Sequence, residues 1–186
     1  MGQLTLIVGG QKSGKSSLAT RTAAGTGAPV VVVAPSEAGD EEMAERIARH
    51  RRDRPADWTT VETFALTTAL TEADDGFCVI VDAFDTWLSH AMGVAGLWTD
   101  RDIAALGEEG ARASEQVLAE VDALRAAAER RRGDTIVVAG QPGFGLHPMS
   151  ANGRRYTDLH GLALQRLGAG ARVLLVIAGR ALEVHQ

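Results

Sequence analysis

The chain has 186 residues, 45% of them hydrophobic and 23% charged, with a formal net charge of -5. This is the composition of a globular domain with a sizeable core, and it excludes a disordered tail or a collagen-like repeat. Acidic charge leaves no broad positive field for nucleic acid or an anionic lipid surface. No apolar run reaches the ~18 residues of a bilayer-spanning helix. Met1-Gly2-Gln3-Leu4 opens onto a strand-like segment without a charged-then-apolar leader, so the expectation is a cytoplasmic protein.

From the N-terminus, short β-branched runs alternate with alanine-rich segments of helical period, the rhythm of β-α units that build a mostly parallel sheet covered by helices. Leu4 to Val8 is continuously apolar, as a strand covered on both faces is, and Lys15 to Ala24 follows as a helix. Val30 to Ala34 is the second strand. Asp40 to Arg52 reads as a helix that begins acidic, ends basic and is stopped by Pro55, a polarity that suits the helix dipole. Thr59 to Glu62 and Phe77 to Asp82 are the next strands, and Phe84 to Met92 the next helix. Gly93 to Gly107 mixes glycines, Trp98 and acidic residues, and is expected as a mobile excursion from the sheet rhythm. Gly110 to Arg132 is the longest helix, with Val117, Leu118, Val121 and Leu124 as its inward stripe and Arg130-Arg131-Arg132 complementing its own C-terminal dipole. Thr135 to Ala139, the helix Ala151 to Leu167 and Arg172 to Ala178 complete six strands within one domain spanning residues 1–186.

The most specific signal lies between the first strand and the first helix. Gly9-Gly10-Gln11-Lys12-Ser13-Gly14-Lys15-Ser16 fits G-x-x-x-x-G-K-[ST] in the strand-loop-helix context the mechanism requires. Successive backbone N–H groups of such a loop wrap a polyphosphate and the following helix presents its positive end. Lys15 reaches the β- and γ-phosphates, and the Ser16 hydroxyl ligates Mg²⁺. Of the 19 basic residues only Lys12 and Lys15 are lysines, and both sit in this loop. The expected fold is therefore α/β, a P-loop NTPase of RecA-like type with a mostly parallel central sheet flanked by helices. Asp82, at the end of an apolar strand, is the candidate carboxylate beside the metal, while Asp85 reads as a cap or first-turn charge of the next helix. A guanine-reading Asn-Lys-x-Asp is absent and Asp158 to Gly161 falls inside a helix, which disfavours a switch GTPase.

His50 stands among Arg49, Arg51, Arg52 and Arg54, seven residues after Met43 and three after Ile47. Two readings are open: a solvated charged face, or an inward histidine whose neutral form, favoured by neighbouring guanidiniums, attacks a phosphate that the arginines hold. His147, His160 and His185 carry no metal-like spacing and read as bystanders, Trp58 and Trp87 read as packing anchors, and the lone Cys78 reads as a buried thiol without a partner.

Together these residues resemble the bifunctional adenosylcobinamide kinase/adenosylcobinamide-phosphate guanylyltransferase family. The likeness is carried by the phosphate loop, by His50-x-x-x-Arg54-Pro55-x-x-Trp58-x-Thr60-x-Glu62, by Asp82 with Trp87-Leu88, and by Gly143-x-Gly145-x-x-Pro148 followed by Arg154, Tyr156, Asp158 and Gly161. The resemblance implies an enzyme that phosphorylates adenosylcobinamide and passes GMP from GTP, through a guanylyl-histidine at His50, to the phosphorylated corrinoid. It implies GTP or ATP as substrate with Mg²⁺, a homo-oligomer and specifically a trimer. It further implies nucleotide contacts from Ala34, Pro35, Ser36, Arg51, Arg52, Asp53, Arg54 and Glu62. The chain departs from the family pattern after the fifth strand, where Gly140-Gln141-Pro142-Gly143 replaces the usual Asn-Glu-Val-Gly, and at Met149-Ser150, His90 and Leu164. Competing readings are a GTP-binding paralogue without acceptor chemistry and a kinase for another small alcohol.

Overall fold

The computed structural model describes residues 1–36, 55–99 and 103–185, the side chains of 103–105 excepted. The helix expected over Asp40 to Arg52 lies outside the described residues, as do His50, Arg51, Arg52, Asp53 and Arg54. The remaining elements are β1 (Leu4–Gly9), α1 (Lys15–Gly25), β2 (Val30–Ala34), β3 (Thr59–Glu62), α2 (Leu66–Glu72), β4 (Cys78–Asp82), α3 (Phe84–Val94), α4 (Ile103–Arg130), β5 (Thr135–Gly140), a 3₁₀ turn (Pro142–Phe144), α5 (Ala151–Gly168), β6 (Arg172–Ile177) and β7 (Arg180–Val184).

The strands form one seven-stranded sheet in the order β3-β2-β4-β5-β1-β6-β7. Every described pairing is parallel except β6 with β7. The continuous apolar runs have their reason in the pleat: alternate side chains enter opposite layers, and both layers are dry. On one face Leu4, Leu6 and Val8 of β1, with Val79 and Val81 of β4 and Val137 and Ala139 of β5, meet side chains of α2, α3, α4 and α5. On the other, Ile7, Ile80, Ile136 and Val138 meet Ala19 and Ala23 of α1, whose small side chains let that helix lie close to the sheet. The expected stripe of α4 is in place, with Val117, Leu118, Val121 and Leu124 all buried.

The elements differ from the sequence expectation in four places. The hairpin β6–β7 turns through Ala178 and Gly179, both at positive φ (50° and 76°), the geometry of a two-residue I′ loop; the expected strand ran to Ala178 and missed the return. Helix α2 has no counterpart in the sequence reading, because seven residues of threonine-rich sequence carry too little periodicity to stand out. Gly107 (φ 49°, ψ -134°) breaks α4 near its start, so helix occupies part of the supposed excursion. The earlier part of that segment is tied down: Trp98 Nε1 donates to Ser89 O, Thr99 N donates to Asn152 Oδ1, and the buried Arg155 guanidinium donates to Leu97 O.

Arg131 corrects the reading of the arginine triplet. It is buried and serves another helix: its Nη1 donates to Leu70 O and Ala73 O, its Nη2 to Asp74 O and Phe77 O, so one guanidinium gathers the carbonyls between α2 and β4. Arg132 instead pairs with Asp75 at 2.6 Å on the surface. Among the described residues no helix is long and apolar enough to cross a membrane.

Candidate active site

The carboxyl ends of β1, β2, β4 and β5 converge on one edge of the sheet, and the loop from β1 to α1 closes over it. Gly9 ends β1 where a Cβ would stand 2.4 Å from Val176 O and 2.9 Å from Ser13 Oγ, so the strand passes β6 too closely for any side chain. Gly14 takes φ 101° at the cap of α1, and Lys12 takes φ 54°. Ser13 N donates to Gly10 O and Leu18 N to Gly14 O, turning the chain directly from loop into helix. The β6–β7 turn buttresses this loop from beneath: Gly179 N donates to Ser13 O at 2.9 Å, and a Cβ on Gly14 would touch Gly179 Cα at 3.4 Å. Sequence reasoning found the loop and missed its support.

Lys15 Nζ donates to Gly10 O at 2.8 Å, which arches the ammonium back over the loop. Ser16 Oγ donates to Asp82 Oδ1 at 3.3 Å, bringing together the two residues expected at the metal. Two hard oxygen donors beside a phosphate loop are the chemistry Mg²⁺ takes, since it is held by few protein oxygens and otherwise by water and phosphate. A cavity of about 780 Å³ opens here. Gly10, Gln11, Lys12, Ser13, Gly14, Lys15 and Ser16 line it, with Ala34, Pro35 and Asp82 across from them. Among the other expected contacts, Gly9 lies under the loop rather than in the wall, Ser36 is buried just past β2 with a hydroxyl that has no hydrogen-bond partner among the described residues, and Glu62 is exposed at the end of edge strand β3.

A second cleft of about 930 Å³ adjoins the first, and Asp85, Thr86 and Tyr156 belong to both walls. Its sides carry two ring pairs: Phe64 stacked on His90 with centroids 3.8 Å apart, and Trp98 stacked on Tyr156 at 6.1 Å. Neither ring pair was foreseen in the sequence. At the junction of the two cavities Asp85 accepts from Gly140 N through both carboxylate oxygens, at 2.9 and 2.8 Å, and its Oδ1 lies 2.7 Å from His160 Nε2. His160, expected as a bystander, is 1% exposed. Burial, with the Asp85 charge, raises the Tyr156 phenol above its ordinary range. Trp87 and Cys78 are core residues as expected; burial pushes the Cys78 thiol up to about 11, so it is a poor nucleophile.

A family model described as cobinamide kinase / cobinamide phosphate guanyltransferase matches residues 5–184. The bifunctional adenosylcobalamin biosynthesis protein CobP of Pseudomonas aeruginosa is 36% identical over 177 residues, which are 94% of this chain and 92% of the relative. The bifunctional adenosylcobalamin biosynthesis protein CobU of Escherichia coli is 32% identical over 185 residues, or 97% and 99% of the two chains. Among solved structures, a prototypical ATPase from the type III secretion system of pathogenic bacteria superposes with a TM-score of 0.55 at 15% identity. That match takes in 98% of this chain and 57% of the ATPase chain, and it shows a shared fold.

Proposed function

The chain belongs to the cobinamide kinase / cobinamide phosphate guanyltransferase family, and from that premise we propose that it carries out both transfers of the family in one nucleotide-binding domain. The first moves the γ-phosphate of GTP or ATP to the hydroxyl of adenosylcobinamide. The second moves GMP from GTP through His50 to adenosylcobinamide phosphate, giving adenosylcobinamide-GDP. The observation that carries this reading is the convergence of Lys15, Ser16 and Asp82 on one cavity beneath the phosphate loop. Bifunctional relatives at 32–36% identity over nearly the whole chain leave the paralogue without acceptor chemistry unfavoured.

The loop amides and the amino end of α1 supply fixed positive potential to a triphosphate, and Lys15 adds a point charge that follows the transferring group. Ser16 Oγ and Asp82 Oδ1 would hold Mg²⁺, which when bound neutralises charge on the phosphate oxygens. In the transferase half, a lone pair of neutral His50 forms a bond to the α-phosphorus while the bond to the α–β bridging oxygen breaks and pyrophosphate leaves. A phosphate oxygen of the acceptor then displaces the imidazole, breaking the phosphorus–nitrogen bond and restoring His50. Arg51, Arg52 and Arg54 hold phosphate oxygens during the attack, and Asp53, Glu62, Ala34, Pro35 and Ser36 complete the nucleotide contacts. The protein works as a homo-oligomer, a trimer, whose size light scattering measures.

Intact-mass analysis after incubation with GTP and Mg²⁺ tests the transferase half. The chain gains one acid-labile GMP moiety, and His50→Ala gains none; an unmodified wild-type chain refutes it. Assaying cobinamide and cobinamide phosphate separately, with GTP and with ATP, tests the kinase half and fixes its donor.

A further inference from the structure

The carboxylate of Asp85 is held by more than a helix-terminal charge requires. Asp85 lies in the first turn of α3, where a negative side chain is stabilised by the helix dipole alone. Here it also receives the Gly140 amide on both oxygens and His160 Nε2 on Oδ1. A carboxylate offers about four lone-pair directions. Those contacts engage two on Oδ1 and one on Oδ2, leaving one on Oδ2 for a further donor. Gly140 is what admits the arrangement, since a Cβ at that position would stand 2.9 Å from Asp85 Oδ2.

Its surroundings indicate which donor. The Asp85 side chain is 33% exposed, and of the carboxylates in the two cavity walls, Asp85 alone belongs to both. The other carboxylate of the phosphate cavity, Asp82, already accepts from Ser16. Tyr156 borders both cavities too, but burial and the Asp85 charge keep its phenol protonated, so it cannot accept a proton. We propose that Asp85 takes the hydroxyl proton of the alcohol acceptor during phosphoryl transfer, with His160 and the Gly140 amide as its positioning groups and the ring-lined cleft as the acceptor's approach. This rests on the kinase half of the function proposed above.

The acceptor oxygen forms a bond to the γ-phosphorus while the bond from that phosphorus to the β–γ bridging oxygen breaks, and the electron pair leaves with the nucleoside diphosphate. The hydroxyl proton passes to Asp85 Oδ2 and from there to solvent. His160 keeps its Nε2–H on Oδ1 throughout and holds the carboxylate's orientation. Self-guanylylation involves no alcohol, so the two activities separate in their need for this group.

The experiment compares wild type with Asp85→Asn in two assays: phosphorylation of cobinamide and self-guanylylation by intact mass. The ratio of phosphorylation kcat to guanylylation rate falls about 10²-fold or more in the variant, with KM for cobinamide changed by less than about threefold. Gly140→Ala, which crowds Oδ2 while keeping every charge, is the second variant should Asp85→Asn not fold, and lowers the same ratio. A ratio within about threefold of wild type in the folded variant overturns the proposal. So does recovery of the full rate at raised Mg²⁺, which makes Asp85 a metal ligand instead. Failure of wild type to phosphorylate cobinamide at all overturns the kinase reading itself, and this proposal with it.

Discussion

Replacing Arg131 by methionine removes a guanidinium while keeping most of its buried stem. Four hydrogen bonds disappear, to the carbonyls of Leu70, Ala73, Asp74 and Phe77, at 2.6 to 2.9 Å. A net ~1 kcal/mol for each gives a loss of about 4 kcal/mol, a large share of the stability of an ordinary domain. For a chain of this size 1 kcal/mol moves Tm by ~2–4 °C, so the melt drops by roughly 8–16 °C. Urea titration followed by far-UV circular dichroism measures the first quantity and thermal scans the second. Arg131→Lys recovers part of the loss, because an ammonium has three donors but not the planar fork that reaches four carbonyls. The arginine works where β4 and β5 begin, at the opposite end of the sheet from the phosphate loop, so GTP affinity of the folded variant stays within about twofold. A loss below about 1 kcal/mol refutes the clamp, and a large drop in GTP affinity refutes its separation from the site.

Gly9→Ala forces a methyl group to 2.4 Å from the backbone of β6; it destabilises the chain by ~1–3 kcal/mol and weakens GTP binding by calorimetry, whereas an unchanged melt refutes the close approach. Tyr156 is the chain's single tyrosine, so absorbance at 295 nm reports it alone. Burial and the Asp85 charge hold its folded pKa above the ordinary value of 10.0, so its stabilising contribution is present below pH 10 and declines as pH rises further. Phenolate absorbance therefore emerges together with unfolding, and a reversible titration centred at 10 in the folded chain refutes the burial. Cys78 does not react with Ellman's reagent until denaturant is added, while fast labelling of the native chain refutes its place in the core.

Six strands and most helices were legible because covered parallel strands read as unbroken Val/Ile/Leu runs and because the phosphate loop is a local pattern whose chemistry depends on consecutive residues. Strand β7 was not: Arg180–Val184 is exposed along its whole length, so burial left no mark on its composition. Arg131 looked like one of three surface arginines because the carbonyls it binds lie 54 to 61 residues away in sequence. Asp85 and His160 escaped for the same reason. They stand 75 positions apart and meet only when α3, α5 and the end of β5 pack together. His50 stands out only by its neighbours in sequence, and its place in the fold lies outside the described residues.

The order of strands bears on how the protein is made. The strand bearing the phosphate loop leaves the ribosome well before its two neighbours, β5 and β6; Gln3 N meets Asp134 Oδ1 across 131 positions. Until they emerge, Leu4–Gly9 is an apolar ribbon bare on both edges, prone to stick to other chains. GTP offers no relief in that interval, because a ligand protects only the state that binds it. Nucleotide therefore shields finished polypeptides and leaves prematurely terminated ones to proteolysis.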